Sequence, residues 1–243
     1  LNNQKPEPRS KSDGSTLDFH SMFFTLQGEG PFAGHRSIFV RLAGCNLQCP
    51  GCDTEYTQGR VELDINRLFG MVIEKARENG VMRNENFLIV ITGGEPLRQS
   101  IGPFVAMLLD TGFIVQIESN GVFEPDPQLS NMLHNRVQSL HLVVSPKTKK
   151  INPMTANFAT CFKYVIDHRS IDYADGLPIK ALEHPASTGV ARPPFGYRKS
   201  IYVNPYDVQN DHENQLNLKA AAVSAQRFGY IAGVQLHKLI GLE

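Results

Sequence analysis

The chain has no tryptophan, only four cysteines among 243 residues, and no excess of either charge, with 24 Lys and Arg against 24 Asp and Glu. That balance argues against a surface built to neutralise phosphates, so neither nucleic acid nor an anionic membrane is expected as a partner. No apolar run approaches the ~20 residues that span a bilayer. No secretory h-region is read in it, so an oxidising compartment has no support and a cytoplasmic location is expected. Internal repeats are missing as well. Residues 1–16 are polar and rich in Pro, Ser and Lys. They read as a flexible tail outside one domain spanning 17–243.

Three of the four cysteines stand together in Gly44-Cys45-Asn46-Leu47-Gln48-Cys49-Pro50-Gly51-Cys52, a C-x3-C-x2-C spacing. Three thiolates are one short of a closed structural zinc site. A cubane iron–sulfur cluster on three thiolates leaves one iron open, which implies chemistry rather than scaffolding. On the residues alone two other readings stay open: zinc completed by a distant His134 or His237, or a disulfide with a spare thiol. Cys161, in an apolar run, reads as a small buried hydrophobe.

Apolar runs at 22–26, 38–42, 87–91, 113–117, 140–144, 162–166 and 201–204 read as strands. Helical patterns fall over 63–79, 101–110, 127–135 and 213–228. Continuous apolar strands alternating with amphipathic helices indicate an α/β fold, a parallel sheet with outer helices. Four strands run straight into polar loops, Thr92-Gly93-Gly94-Glu95-Pro96, Glu118-Ser119-Asn120-Gly121, Ser145-Pro146-Lys147 and Asn204-Pro205-Tyr206-Asp207. Ordinary turn chemistry explains any one of them. Four at the C-terminal ends of one sheet make a ligand site. The Pro- and Gly-rich segment 172–200 reads as a lid, a dimer contact or a long loop.

The cysteine spacing followed by Thr92-Gly93-Gly94-Glu95-Pro96 resembles the radical S-adenosylmethionine (SAM) enzymes. A closer resemblance is carried by Leu26-Gln27-Gly28-Glu29-Gly30, by Phe39-Val40-Arg41-Leu42-Ala43-Gly44-Cys45, by Cys52-Asp53-Thr54, by Ser145-Pro146-Lys147 and by Val234-Gln235-Leu236-His237-Lys238. These are similar to the 7-carboxy-7-deazaguanine synthases, over nearly all of the chain from His20 onward. The resemblance implies an incomplete (β/α) barrel of the radical SAM type, since a full barrel takes ~250 residues. It implies a carbon–nitrogen lyase that contracts 6-carboxy-5,6,7,8-tetrahydropterin to 7-carboxy-7-deazaguanine with loss of ammonia, in queuosine and 7-deazapurine biosynthesis. A [4Fe–4S] cluster, SAM and Mg2+ come with it. So do an electron donor such as flavodoxin or ferredoxin, and a homodimer.

Site residues follow from the same resemblance. Cys45, Cys49 and Cys52 would hold the cluster, and Thr54 would touch Mg2+. SAM would meet Asp53, Gly93, Gly94 and Glu95, with Glu118, Ser119 and Asn120 on its ribose side. Ser145, Lys147, Asn204, Tyr206 and Asp207 would complete its surroundings. The pterin would meet Leu26, Gln27, Gly28, Glu29 and Thr92. Arg41 would pair with its carboxylate through a planar fork. His237 and the terminal residues through Glu243 would form a closing segment. The plain alternatives are a turn hydroxyl for Thr54, a surface arginine for Arg41 and a structural histidine for His237. Gly51 departs from the family, where this position is often aromatic and helps hold adenine. Thr25 for serine and Asn204 for glutamine depart less. A glycyl-radical activase shares the cysteines and SAM, but would not need residues 26–30, Arg41 or 235–238. A non-catalytic Fe–S carrier or a zinc module has no use for the strand-end loops.

Overall fold

The computed structural model describes residues 3–81, 87–135 and 137–241. Its strands are β1 Thr16–Leu26, β2 Arg36–Leu42, β3 Val61–Asp64, β4 Leu88–Gly93, β5 Ile114–Ser119, β6 Leu140–Val144, β7 Cys161–Ile166, β8 Ile201–Pro205 and β9 Ile231–Ala232. The helices are α1 Ile65–Glu78, α2 Gly102–Asp110, α3 Pro127–His134, α4 Pro153–Phe158, α5 Asp211–Phe228 and α6 Leu236–Leu239.

One sheet runs β3-β1-β2-β4-β5-β6-β7-β8-β9. β1 is antiparallel to both β2 and β3. Every pairing from β2 onward is parallel. Leu88, Ile89, Val90 and Ile91 of β4 are all buried, as expected of a parallel strand covered on both faces. β3 and β9 remain as edges, so the barrel is incomplete, as expected. The sheet is nonetheless strongly curved. β1 and β7 are five strand spacings apart in the order, roughly 24 Å if flat. Yet Glu29, just after β1, meets Lys163 of β7 at 2.6 Å.

Helix boundaries follow local chemistry. α1 begins at Ile65, not at 63, because the Asp64 carboxylate accepts from the Asn66 and Arg67 amides. Such a side chain satisfies donors that the helix itself leaves open. The residues before it pair as β3, Thr16 opposite Asp64. Leu68, Val72 and Ala76 form the buried stripe of α1. Asp126 caps α3 at Leu129 N and also accepts from Gly102 N at 2.8 Å, fastening α2 to α3.

The first residues correct the expectation of a tail outside the fold. Glu7 N donates to Cys45 O at 2.7 Å and Ser10 N to Arg98 O at 2.8 Å. The Gln4 amide donates to Thr54 O and accepts from Tyr56 N. The Glu7 carboxylate pairs with Arg60 and with Arg98, whose side chain is only 4% exposed. Thr16 already belongs to β1, and Leu17 and Phe19 are buried. The segment's polar residues serve as hydrogen-bonding partners for buried groups rather than as solvated filler.

Segment 172–200 is a long ordered loop between β7 and β8. Arg192 pairs with Asp175 at 2.6 Å. Gly176 O accepts from Ser224 Oγ, Asp175 O from the Tyr230 hydroxyl and Ala191 O from the Tyr164 hydroxyl. Its backbone carbonyls are thus paid in hydrogen bonds from α5 and the sheet.

Candidate active site

The C-terminal ends of the parallel strands open into a cavity of about 320 Å3, within the size range of small-molecule sites. The cysteine loop after β2 forms one end. Cys45, Cys49 and Cys52 all line the cavity, and none of the three is joined in a disulfide. The β4 loop lies directly against them: Gly94 N donates to Leu42 O and Glu95 N to Gly44 O. Asn120, at the end of β5, donates to Asn46 at 2.8 Å and so ties that strand to the same loop. Burial pushes the Cys45 thiol up to about 12 and Cys49 up to about 11, and raises Cys52 as well. Thiols held this way ionise when iron supplies the opposing charge.

The donor set fits a cluster. Three soft thiols face one cavity, and among the described residues no three His, Cys, Asp or Glu side chains converge on a single-ion position. A cubane takes each thiolate on a separate iron, so it does not require that convergence. His134 is exposed on α3 and does not line the cavity that holds the thiols. The Ser145 hydroxyl beside them is buried without a partner among the described residues. An orphaned polar atom on a cavity wall calls for a ligand.

The opposite end is made by β1, β5, β7 and the C-terminal segment. Glu29 Oε2 accepts from Lys163 at 2.6 Å, and Glu118 Oε2 from the same ammonium at 3.3 Å. Glu118 Oε1 accepts from Gln27 and Gln116, and Glu29 Oε1 from Gln235. Burial alone would raise the Glu29 carboxyl; the Lys163 charge and these hydrogen bonds reverse that and hold it at about 2. Burial disfavours the Lys163 ammonium, but the two carboxylates outweigh it and shift its pKa upward. Arg41 and Thr92 are register partners on β2 and β4, and both line the cavity. The Arg41 guanidinium lies over the Phe23 ring, 5.3 Å from its centroid.

The mouth is crossed by α6. Leu236 N donates to Gly28 O at 3.1 Å. A side chain on Gly28 would run into the His237 ring, so glycine is required there. Burial lowers the His237 pKa, favouring neutral imidazole. Lys238 bridges Asp207 at 2.8 Å and Asp53 at 3.7 Å.

Leu26, Gly93, Ser119, Lys147 and Tyr206 also line the cavity. Thr54 lines it too, with its hydroxyl on Asp53. Three expected contacts need correction. Glu95 is fully buried behind the wall, where it accepts from Leu97 N, Ser119 Oγ and Asn120 N. It braces the loops of β4 and β5 instead of facing the cavity. Asn204 is buried against Gly233, because alternation along β8 turns its side chain off the wall. Glu118, expected beside a SAM ribose, shares its hydrogen bonds with Gln27 and Lys163 at the other end. Glu243 lies outside the described residues.

Residues 26–113 match the family described as "4Fe-4S single cluster domain". A 7-carboxy-7-deazaguanine synthase of Rhodospirillum rubrum is 39% identical, over 97% of this chain and 95% of the relative. The chain belongs to the 7-carboxy-7-deazaguanine synthase family. A Rickettsia prowazekii member of the family is 32% identical over 95% of this chain and 91% of its own. A crystal structure of QueE from Escherichia coli matches the fold with a TM-score of 0.66 at 21% identity, covering 94% of this chain and all of that one.

For a synthase-family chain, the motifs located most of the cavity but missed Lys163 and Leu182. Lys163 had a readable signal. It is a lone charge inside Cys161-Phe162-Lys163-Tyr164-Val165-Ile166, and lysine is almost never buried without partners. Leu182 had none, since it reaches the site from the long loop.

Proposed function

We propose that this chain is a radical SAM enzyme that converts 6-carboxy-5,6,7,8-tetrahydropterin to 7-carboxy-7-deazaguanine with loss of ammonia, in queuosine or other 7-deazapurine biosynthesis. The observation that carries the reading is one cavity lined by a three-thiol loop, a buried carboxylate–lysine cluster and Arg41. Cys45, Cys49 and Cys52 would hold the [4Fe–4S] cluster. When bound, the cluster supplies the electron that cleaves SAM and so starts radical chemistry on the pterin.

The protein's own work is binding and exclusion of water. Gly93, Gly94, Ser145 and Lys147 surround the thiol end, where SAM would lie. Gln27, Glu29 and Glu118 offer acceptors to the amino-bearing edge of a pterin. Arg41 presents a fork to a carboxylate, with its apolar face already ordered on Phe23. The α6 segment, through His237 and Lys238, closes the mouth after both ligands enter. Within this reading Thr54 would hold Mg2+ together with the substrate carboxylate and water. The enzyme is a carbon–nitrogen lyase and a cytoplasmic homodimer, reduced by flavodoxin or ferredoxin. Residues 17–243 act as its single radical SAM domain. Among the described residues no helix is long and apolar enough to cross a membrane.

Carboxytetrahydropterin is expected to stimulate SAM cleavage by the anaerobically reconstituted, reduced protein. An activase would respond instead to a protein substrate. Cleavage indifferent to the pterin would remove this reading.

A further inference from the structure

Lys163 is a strongly buried cation of the cavity that no motif assigned. Its side chain is 9% exposed, and it stands between the carboxylates of Glu29 and Glu118. Burying an ammonium is costly unless it is paired, and here two carboxylates pair it. Lys163 also lines the cavity rather than lying behind it. An ammonium has three N–H donors, and two are directed to Glu29 and Glu118. Each carboxylate places its other oxygen on glutamine amides, Gln235 for Glu29, Gln27 and Gln116 for Glu118. The cluster therefore holds its geometry without a ligand, as a recognition edge must.

The order of groups along this edge has chemical content. A 2-amino-4-oxo ring presents, in sequence, a ring-nitrogen acceptor, an amino donor, an N–H donor and a carbonyl acceptor. A carboxylate matches the two central donors and needs a neighbouring donor to match the carbonyl. We propose that Lys163 supplies that donor, contacting the ring carbonyl beside the donor pair held by a carboxylate, and that it thereby selects 2-amino-4-oxo rings over 2,4-diamino rings. The inference rests on the carboxypterin reading given above. A 2,4-diamino ring turns an amino donor toward the ammonium, leaving donor against donor, and its adjacent ring nitrogen, now without hydrogen, also faces the carboxylate as an acceptor. Unmatched buried polar groups are what make such discrimination large.

The test is binding of 6-carboxypterin and of 2,4-diamino-6-carboxypteridine to the anaerobic, cluster-loaded protein with SAM, measured by calorimetry. Wild type is expected to prefer the 4-oxo ligand. Lys163→Met should weaken the 4-oxo ligand by roughly ten- to hundredfold, leave the diamino ligand little changed, and keep the cluster content of wild type. Lys163→Arg, which keeps charge and donors, should retain most of the preference. Equal weakening of both ligands by Lys163→Met would make Lys163 only a counter-charge for its carboxylates and overturn the inference. If Lys163→Met does not fold, the wild-type comparison still decides: equal affinity for the two ligands overturns it. Turnover of carboxytetrahydropterin by wild type, run alongside, separates the cases. Turnover with no ring preference sinks this inference alone, and no turnover sinks the reading beneath it.

Discussion

The Tyr206 hydroxyl occupies the position where a side chain on Gly51 would begin. Tyr206 directly follows β8, and Gly51 precedes the third cysteine. The same hydroxyl donates to Glu183 at 3.3 Å, and Gly51 N donates to Leu182 O at 3.0 Å. Leu182 and Glu183 both adopt positive φ, 48° and 62°, a costly conformation for residues with side chains. The missing aromatic of the motif is thus matched in space by a ring from another strand end, locked by the long loop. Gly51→Ala is expected to displace Tyr206 and destabilise the protein by about 1–3 kcal/mol, the usual range for overpacking. Tyr206→Ala in the same chain should relieve much of it. A urea-unfolding double-mutant cycle checks this, and simple additivity would show that the two residues do not compete for space.

Cys49→Ala should abolish cluster loading. The variant purified without oxygen should lack the brown charge-transfer absorbance that bleaches on dithionite, and should not cleave SAM. SAM cleavage near the wild-type rate would disprove the cluster assignment.

Arg41→Ala is expected to weaken pterin binding by roughly tenfold or more, with SAM cleavage in the absence of pterin little affected. Arg41→Lys should not restore binding, because a point charge lacks the planar fork and stacks less well on Phe23. Equal loss of both activities would make Arg41 a structural residue.

Removal of residues 1–9 should speed the loss of iron to a chelator and lower the melting temperature. Glu7 N holds Cys45 O, and the Glu7 carboxylate faces Arg98 beneath the cysteine loop. Glu7→Ala alone should cost about 1 kcal/mol. Unchanged iron retention in the truncated chain would contradict a role for this strap.

Glu95 gives a pH signature. Burial raises its carboxyl from the ordinary 4.5 to about 7, despite hydrogen bonds that favour the charged form. A carboxyl with a folded value above its unfolded one binds its proton more tightly when folded. Its stabilising contribution is full below about pH 4.5 and is lost as pH rises through about 7. The stability advantage of wild type over Glu95→Gln should therefore shrink across that window, as read by urea unfolding at several pH values. Glu29, held at about 2, acts with the opposite sign: its contribution is present above 4.5 and lost as pH falls toward 2. An advantage that grows with pH would contradict the placement of Glu95 behind the wall.

Where the sequence was legible, a strong local pattern coincided with the tertiary one. The apolar runs became β4 to β8, and the strand-end loops of β4, β5, β6 and β8 did gather at one edge. Glu95 and Asn204 were misplaced because a loop motif does not reveal which way each side chain turns. Residues 1–16 read as a flexible tail because polar composition does not disclose that Arg98 and the Cys45 carbonyl await partners. Lys163 joins Glu29 only through the curvature of the sheet, a property of the whole strand order rather than of any segment.

The most direct test of the central claim is anaerobic turnover of 6-carboxy-5,6,7,8-tetrahydropterin with SAM, Mg2+ and a reductant, followed by mass spectrometry. The account predicts 7-carboxy-7-deazaguanine, with ammonia released in equal amount. SAM cleavage to 5′-deoxyadenosine without any deazaguanine acid would contradict it and leave this cavity to a different radical reaction.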